Sequence, residues 1–205
     1  GTLWKENRDQ IPADVSITLS DLSKGMLRDA RRTVGTNDPR FSFEAFDCHS
    51  IPYPDESFDL VIANHVLFYC DDISQVCSEV RRILKKNGTF LCSTYGQNHM
   101  KEINQLVQNF DERIVLLADR LYERFGMENG TDLLSPYFSK IKWLLYEDEL
   151  CVTDPVPLIT YVLSCHGNQN QYLLDRYKEF RSYVKKKTEE GCIISKEAGI
   201  FLCTK

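Results

Sequence analysis

No window of this 205-residue chain approaches the roughly 20 consecutive apolar residues that a membrane-crossing helix needs, and the N-terminus lacks the charged-then-apolar pattern of a secretory signal. A soluble, cytoplasmic protein with no membrane partner is the expectation. Basic charge is also scarce. Lys and Arg number 25 against 30 Asp and Glu, a net charge of -5, which leaves no broad surface to neutralise a phosphate backbone and argues against nucleic acid as a partner. The one dense basic run, Lys185 to Lys187, is followed by Glu189 and Glu190 and reads as a solvated helix face. None of the 8 cysteines forms a Cys-x-x-Cys pair, and Cys70 and Cys77 have no companion ligands, so reduced thiols and no metal site are expected. Internal repeats, low-complexity tracts and interdomain linkers are lacking too. One domain over residues 1–205 follows.

With 42% hydrophobic residues the chain can bury a sizeable core. Val15 to Leu19 alternates apolar and polar residues as a strand that stops at Ser20-Asp21. Ser23 then caps a helix over Lys24 to Val34, with Met26, Leu27, Ala30 and Val34 on one stripe. The unit repeats with a strand from Phe41 to Phe46 leading to Asp47 and a turn-rich stretch from Ile51 to Ser57. The near-continuous apolar run Phe58 to Ala63 suits a central parallel strand and ends at Asn64-His65. A helix over Ile73 to Lys86 stops at Asn87-Gly88, and a strand spans Thr89 to Thr94. Helix signals resume from Met100 to Phe125 with a break near Asp111. A strand follows at Ile141 to Val152, then helices at Pro155 to Leu163 and Asn170 to Lys187. Cys192 to Ile194 and Ala198 to Cys203 read as two short strands around a turn. The fold class is α/β, a Rossmann-like, mainly parallel sheet with an antiparallel edge strand.

Ligands of such sheets bind beyond the carboxyl ends of the strands, so Asp21, Asp47, Asn64-His65 and Thr94-Tyr95 are the residues of interest. Asp21 suits a ribose diol, and Asp47 an adenine amino group with the backbone beside Cys48 or His49 contributing. In isolation Asp21 could equally cap the next helix and Asp47 start a turn.

The run Ile17 to Arg31 resembles the second-strand motif of class I S-adenosylmethionine-dependent methyltransferases. Phe46 to His65 is similar to that family's stretch joining the third and fourth strands, and Glu79 to Gly88 to its approach to the fifth. The resemblance is close over about residues 1–100. Beyond them only the order of helix and strand matches, as in the small-molecule branch related to quinone-biosynthesis methyltransferases. It implies that Asp21 holds the ribose hydroxyls of S-adenosylmethionine, Leu22 packs on the adenine, Asp47 and Cys48 meet its amino edge, and Asn64 lines the methionine side. It also implies a Gly-x-Gly-x-Gly loop before Leu3-Trp4, where only Gly1 stands as a cofactor-binding candidate, and so an N-terminally truncated sheet without its first strand.

His65, Tyr95 and His99 are the candidate catalytic residues, each able to take a proton from an acceptor if it faces the cofactor. The expected activity is methyl transfer to a small-molecule O, N or C acceptor, with selectivity influenced by a helical insertion at about residues 97–140. The alternative is a catalytically inert, methyltransferase-like interaction domain presenting Tyr172, Tyr177, Phe180 and Tyr183. An RNA or protein methyltransferase is disfavoured, because Asn64-His65-Val-Leu stands where an Asn/Asp-Pro-Pro-Tyr/Phe signature would be. An unpaired sheet edge makes a homo-oligomer the expectation.

Overall fold

The computed structural model describes residues 1–116 and 120–205. A short helix α1 (Thr2–Glu6) leads to β1 (Ile17–Ser20), α2 (Lys24–Val34), β2 (Phe41–Glu44) and β3 (Phe58–Asn64). Next come α3 (Ile73–Ile83), β4 (Leu84–Tyr95), α4 (Lys101–Phe110), α5 (Leu121–Arg124) and α6 (Gly130–Leu134). The chain ends with β5 (Lys140–Val152), α7 (Pro155–Ser164), α8 (Gln169–Leu173), α9 (Tyr177–Thr188) and β6 (Cys192–Thr204). Caps explain several starts. Ser23 Oγ accepts the Met26 N–H at 3.4 Å, Asp72 Oδ1 accepts that of Gln75 at 2.9 Å, and Asp154 Oδ1 accepts that of Val156 at 2.9 Å, just where Pro155 opens α7.

The strands form two sheets. β1 and β2 pair in parallel, from Ile17 opposite Phe41 to Ser20 opposite Glu44. The larger sheet has the order β3-β4-β6-β5, parallel between β3 and β4 and antiparallel across the other two junctions. The α/β class with parallel and antiparallel pairing is therefore as expected, and the break between sheets falls between β1 and β3. There β3, expected to be central, is an edge strand, and its Leu60 keeps 44% of its surface accessible.

Other differences have local causes. Phe58 pairs with Leu84, which takes the last expected turn out of α3. The register then slips so that Leu60 meets Thr89, with Asn87 left-handed (φ 61°) in the bulge rather than stopping a helix. The turn expected near residues 195–197 is strand. β6 pairs with β5 along its whole length, and Lys196 bonds Asp148 across the ladder. The break expected near Asp111 in the helical stretch 100–125 is present, α4 ending at Phe110, and beyond it only Leu121–Arg124 is helical among the described residues up to 125. Asp111 Oδ1 accepts the Arg113 N–H at 3.2 Å to close a turn there, and the 117–119 part of that expectation lies outside the described residues. The 170–187 helix is broken between Leu173 and Tyr177.

One apolar cluster packs α3 and α6 on β4 and β6, with Val76, Val80, Phe90, Phe125 and Phe201 in its interior. A second joins α4, α7 and α9 around Ile103, Val107, Val162, Phe180 and Val184. Phe180 is buried there, with Tyr172 and Tyr183 packed against the cluster. The aromatics an interaction domain would have presented are thus mostly committed to packing, while Lys185 to Lys187 face solvent.

The turn-rich stretch after β2 is pinned by one guanidinium. Arg82 donates to the Tyr53 and Ile51 carbonyls at 2.7 and 2.9 Å and to both Glu79 oxygens at 2.8 Å, while Glu79 Oε2 also accepts the Ile51 N–H at 2.8 Å. Arg82→Ala is expected to lower the melting temperature and to speed limited proteolysis between residues 51 and 57. Paired with Arg82, the Glu79 carboxyl is held below its usual range, so its stabilisation is full above the unfolded-state pKa and is lost as pH falls through the folded one.

Candidate functional site

β1 and β2 are parallel neighbours, so Asp21 emerges at the carboxyl end of one and Asp47 lies three residues past the other. Asp21 Oδ1 accepts the Ser23 N–H at 2.8 Å, a local turn that fixes the carboxylate and leaves its second oxygen for a ligand. Leu22 beside it keeps 72% of its surface accessible, an apolar side chain turned largely to solvent. Asp47 Oδ1 accepts both the backbone N–H of His49 at 2.9 Å and its ring Nδ1–H at 2.6 Å. These bonds hold the Asp47 carboxyl below its ordinary range.

The loop after β2 meets the segment after β3. His49 Nε2 accepts the Asp72 N–H at 3.3 Å, the His49 carbonyl accepts from Gln75 Nε2 at 3.1 Å, and Cys48 Sγ lies 3.7 Å from Cys70 Sγ. These contacts bring the carboxyl ends of β2 and β3 to the same region. The ligand atoms of Asp47, Cys48 and His49 lie within 4.8 Å of one another, yet both ring nitrogens of His49 are already engaged in hydrogen bonds.

At the end of β3 the Asn64 Oδ1 accepts from Ser93 Oγ at 3.5 Å, and the His65 N–H donates to the same hydroxyl at 3.0 Å. His65 stands in the left-handed region (φ 50°), an uncommon conformation for a residue with a side chain, and its ring lies 6.1 Å from Phe68 and 6.4 Å from Tyr95. Tyr95 is 5.2 Å from His99 and 5.4 Å from Phe68, so His65, Tyr95 and His99 share one aromatic cluster. Burial lowers the pKa of His65 and, as the first cause, of His99, so both rings are neutral near pH 7. His99 Nδ1 accepts the Glu197 N–H at 3.1 Å, which puts the proton of the neutral ring on Nε2 and makes that atom a donor. Burial, and then the nearby hydroxyls of Tyr69, Tyr161 and Tyr122, raise the Tyr95 pKa.

Gly1 is not brought to this region. A Cβ there would meet Thr33 Cβ at 2.9 Å and Ala30 Cα at 3.3 Å, so Gly1 packs on the C-terminal half of α2, whereas Asp21 precedes its first turn. Phe68, Tyr69 and Tyr161 were not legible as site residues: the first two sit in a 3-10 turn at 67–69, and the third arrives on α7. No spacing rule links them.

The methyltransferase-domain family matches residues 5–92, which contain Asp21, Asp47, Asn64 and His65. That stretch is thus similar to a methyltransferase domain. Over 114 residues, 48% of the chain, it is 30% identical to the malonyl-[acyl-carrier protein] O-methyltransferase of Nitrosospira multiformis, covering 37% of that protein. Over 97 residues, 46% of the chain, it is 31% identical to the ubiquinone/menaquinone biosynthesis C-methyltransferase UbiE of Rickettsia akari, covering 39%. These matches span well under half the length of either relative. In fold, 98% of the chain superimposes on 45% of the phosphoethanolamine N-methyltransferase 2 of Haemonchus contortus, solved with S-adenosylhomocysteine, with a TM-score of 0.54 and 16% identity. S-Adenosylmethionine is the cofactor of this class. The residues on the carboxyl edge of β1 and β2 fit it chemically: a carboxylate with an oxygen to spare stands beside an exposed leucine, as a ribose diol and an adenine face require.

Proposed function

We propose that this chain is the cofactor-binding and reaction segment of a methyltransferase acting on a small-molecule acceptor. The observation that carries the reading is the carboxyl edge of β1 and β2, where Asp21 and Asp47 stand at the ends of adjacent parallel strands within the family-matched segment. Asp21 takes the ribose hydroxyls, Leu22 covers one adenine face, Asp47 and the Cys48 backbone meet the adenine edge, and Asn64 borders the methionine portion. When bound, S-adenosylmethionine supplies an electrophilic methyl on a sulfonium and leaves as the neutral thioether S-adenosylhomocysteine.

The chain's own part is to hold an acceptor in line with that methyl, exclude water and manage one proton. The cluster of Phe68, Tyr69, Tyr95 and Tyr161 suits a planar, ring-bearing acceptor. This agrees better with the quinone-type relative than with a malonyl thioester. Within it His65 is the base, neutral and with no described bond to either ring nitrogen, whereas His99 Nε2–H and the Tyr95 hydroxyl orient the acceptor as donors.

Calorimetric titration of S-adenosylhomocysteine tests the reading directly. Saturable one-to-one binding is expected, and its absence at millimolar ligand overturns the proposal. The His65 assignment predicts a rate that rises with pH through a pKa below the usual 6.5 and then stays level, since burial favours the neutral ring. His65→Asn keeps a side chain that tolerates the left-handed backbone, and should lower kcat by roughly 100-fold or more and abolish the acid limb. An unchanged pH profile in that variant removes His65 from the mechanism.

A further inference from the structure

We propose that Cys48 and Cys70 form an oxidant-responsive dithiol, a modification site at which a hydroperoxide closes a disulfide beside the adenosine-binding edge. The sulfurs are 3.7 Å apart and approach from different segments, Cys48 from the loop after β2 and Cys70 from the end of the 3-10 turn after β3. Closing a bond of about 2.05 Å asks for a further approach of under 2 Å, taken up by the Asp47–His49 loop. Cys48 is half-buried and within reach of a small oxidant, and Cys70 beneath it is 5% accessible, the arrangement of an attacking thiol with a resolving one. The contact with Cys70, and then the neighbouring His49, lower the Cys48 pKa to about 7, while the same contact and burial push Cys70 up. Cys48 therefore carries the thiolate. Cys92 and Cys203, whose side chains also meet, are both fully buried and closed to solvent.

The chemistry balances in two steps. The Cys48 thiolate attacks one peroxide oxygen, forming an S–O bond as the O–O bond breaks, and the departing alkoxide or hydroxide takes a proton. The Cys70 sulfur then attacks the Cys48 sulfenic sulfur, the S–S bond forms, and hydroxide leaves with the Cys70 proton as water. Two thiols are oxidised by two electrons, and the hydroperoxide is reduced to an alcohol or water and a second water.

A consequence rests on the proposed function. Cys48 adjoins Asp47, so the contraction draws Asp47 from its place at the adenine edge, and oxidation is expected to weaken S-adenosylhomocysteine binding at least threefold.

Hydrogen peroxide at a small molar excess over the folded chain, followed by alkylation and peptide mapping, is the test. The expected result is a Cys48–Cys70 peptide lighter by two hydrogens, restored by dithiothreitol and formed before the exposed Cys151 is oxidised. In Cys70→Ser, Cys48 should stop at a sulfenic acid that dimedone captures, and in Cys48→Ser neither product should form. The proposal is overturned if both thiols stay alkylatable while Cys151 reacts, if Cys48 bridges only to a second chain, or if zinc alone at equimolar concentration protects both from alkylation with no disulfide formed by peroxide. The reduced chain is titrated with S-adenosylhomocysteine in parallel. Failure of that binding would count against the methyltransferase function and leave the mapped disulfide standing, whereas equal affinity of reduced and oxidised forms would overturn the coupling to Asp47.

Discussion

Asp21→Asn is expected to weaken S-adenosylhomocysteine binding about 100-fold while leaving the unfolding midpoint nearly unchanged. The split follows from the two oxygens. Oδ1 accepts the Ser23 N–H and starts the turn into α2, a bond that the Asn side-chain oxygen reproduces. The ribose diol would be held by the charge and by the remaining oxygen. Hydrogen bonds to an ionised acceptor contribute about 1.5–3 kcal/mol each, and exchanging a carboxylate for an amide weakens two of them by enough to lose about two powers of ten. Calorimetry beside thermal unfolding checks both halves. If affinity and stability fall together, Asp21 is a helix-capping residue and nothing more. If neither changes, the diol lies elsewhere.

How much of this was legible beforehand depended on the range of the interactions. α2 was read closely because its determinants are local: Ser23 as cap, and an apolar stripe of which Leu27 and Val34 are buried. The carboxyl-end aspartates were legible for the same reason, since each closes a short polar turn after a β-branched or aromatic strand. Strand pairing overrode local signals elsewhere. Lys196 and Glu197 read as a turn, yet an unbroken ladder with β5, more than 40 residues earlier in the chain, keeps them extended. The last turn expected of α3 was likewise lost to pairing of Leu84 with Phe58.

The site divides along the same line. Asp21, Asp47, Asn64, His65 and Tyr95 stand at strand ends and could be named from pattern. The Cys48–Cys70 contact joins residues 22 apart through two turns, and the gathering of Tyr161 with Tyr95 joins residues 66 apart in the chain. Neither leaves a periodicity. Gly1 shows the opposite failure, because a glycine ahead of a helix invites a cofactor-loop reading, whereas its closeness to Ala30 and Thr33 accounts for a small residue through packing alone.

Phe201→Ala should be the most destabilising single change in the larger sheet, at about 4 kcal/mol, the range for removing a fully buried phenylalanine, and a large part of the 5–15 kcal/mol typical of a domain. Phe201 has no accessible surface, its ring centroid lies 4.5 Å from Trp143 and 5.8 Å from Phe125, and its edge abuts Gly130, where an added Cβ would come within 2.3 Å of the ring. The loss should reach the site as well. The Phe125 carbonyl accepts the Thr94 hydroxyl at 2.6 Å, so the ring that Phe201 supports also steadies the carboxyl end of β4 next to Tyr95. Urea unfolding should therefore show a lower midpoint with an unchanged slope, and Phe201→Leu, which keeps most of the volume, an intermediate loss. Gly130→Ala supplies a sign test. Alone it should destabilise, because its methyl meets the Phe201 ring, and in the Phe201→Ala or Phe201→Leu background its cost should shrink or reverse as the methyl enters the vacated space. Additive costs in that cycle would mean that Gly130 is small for a reason other than the ring it faces, and that the packing of α6 on β6 does not depend on their contact.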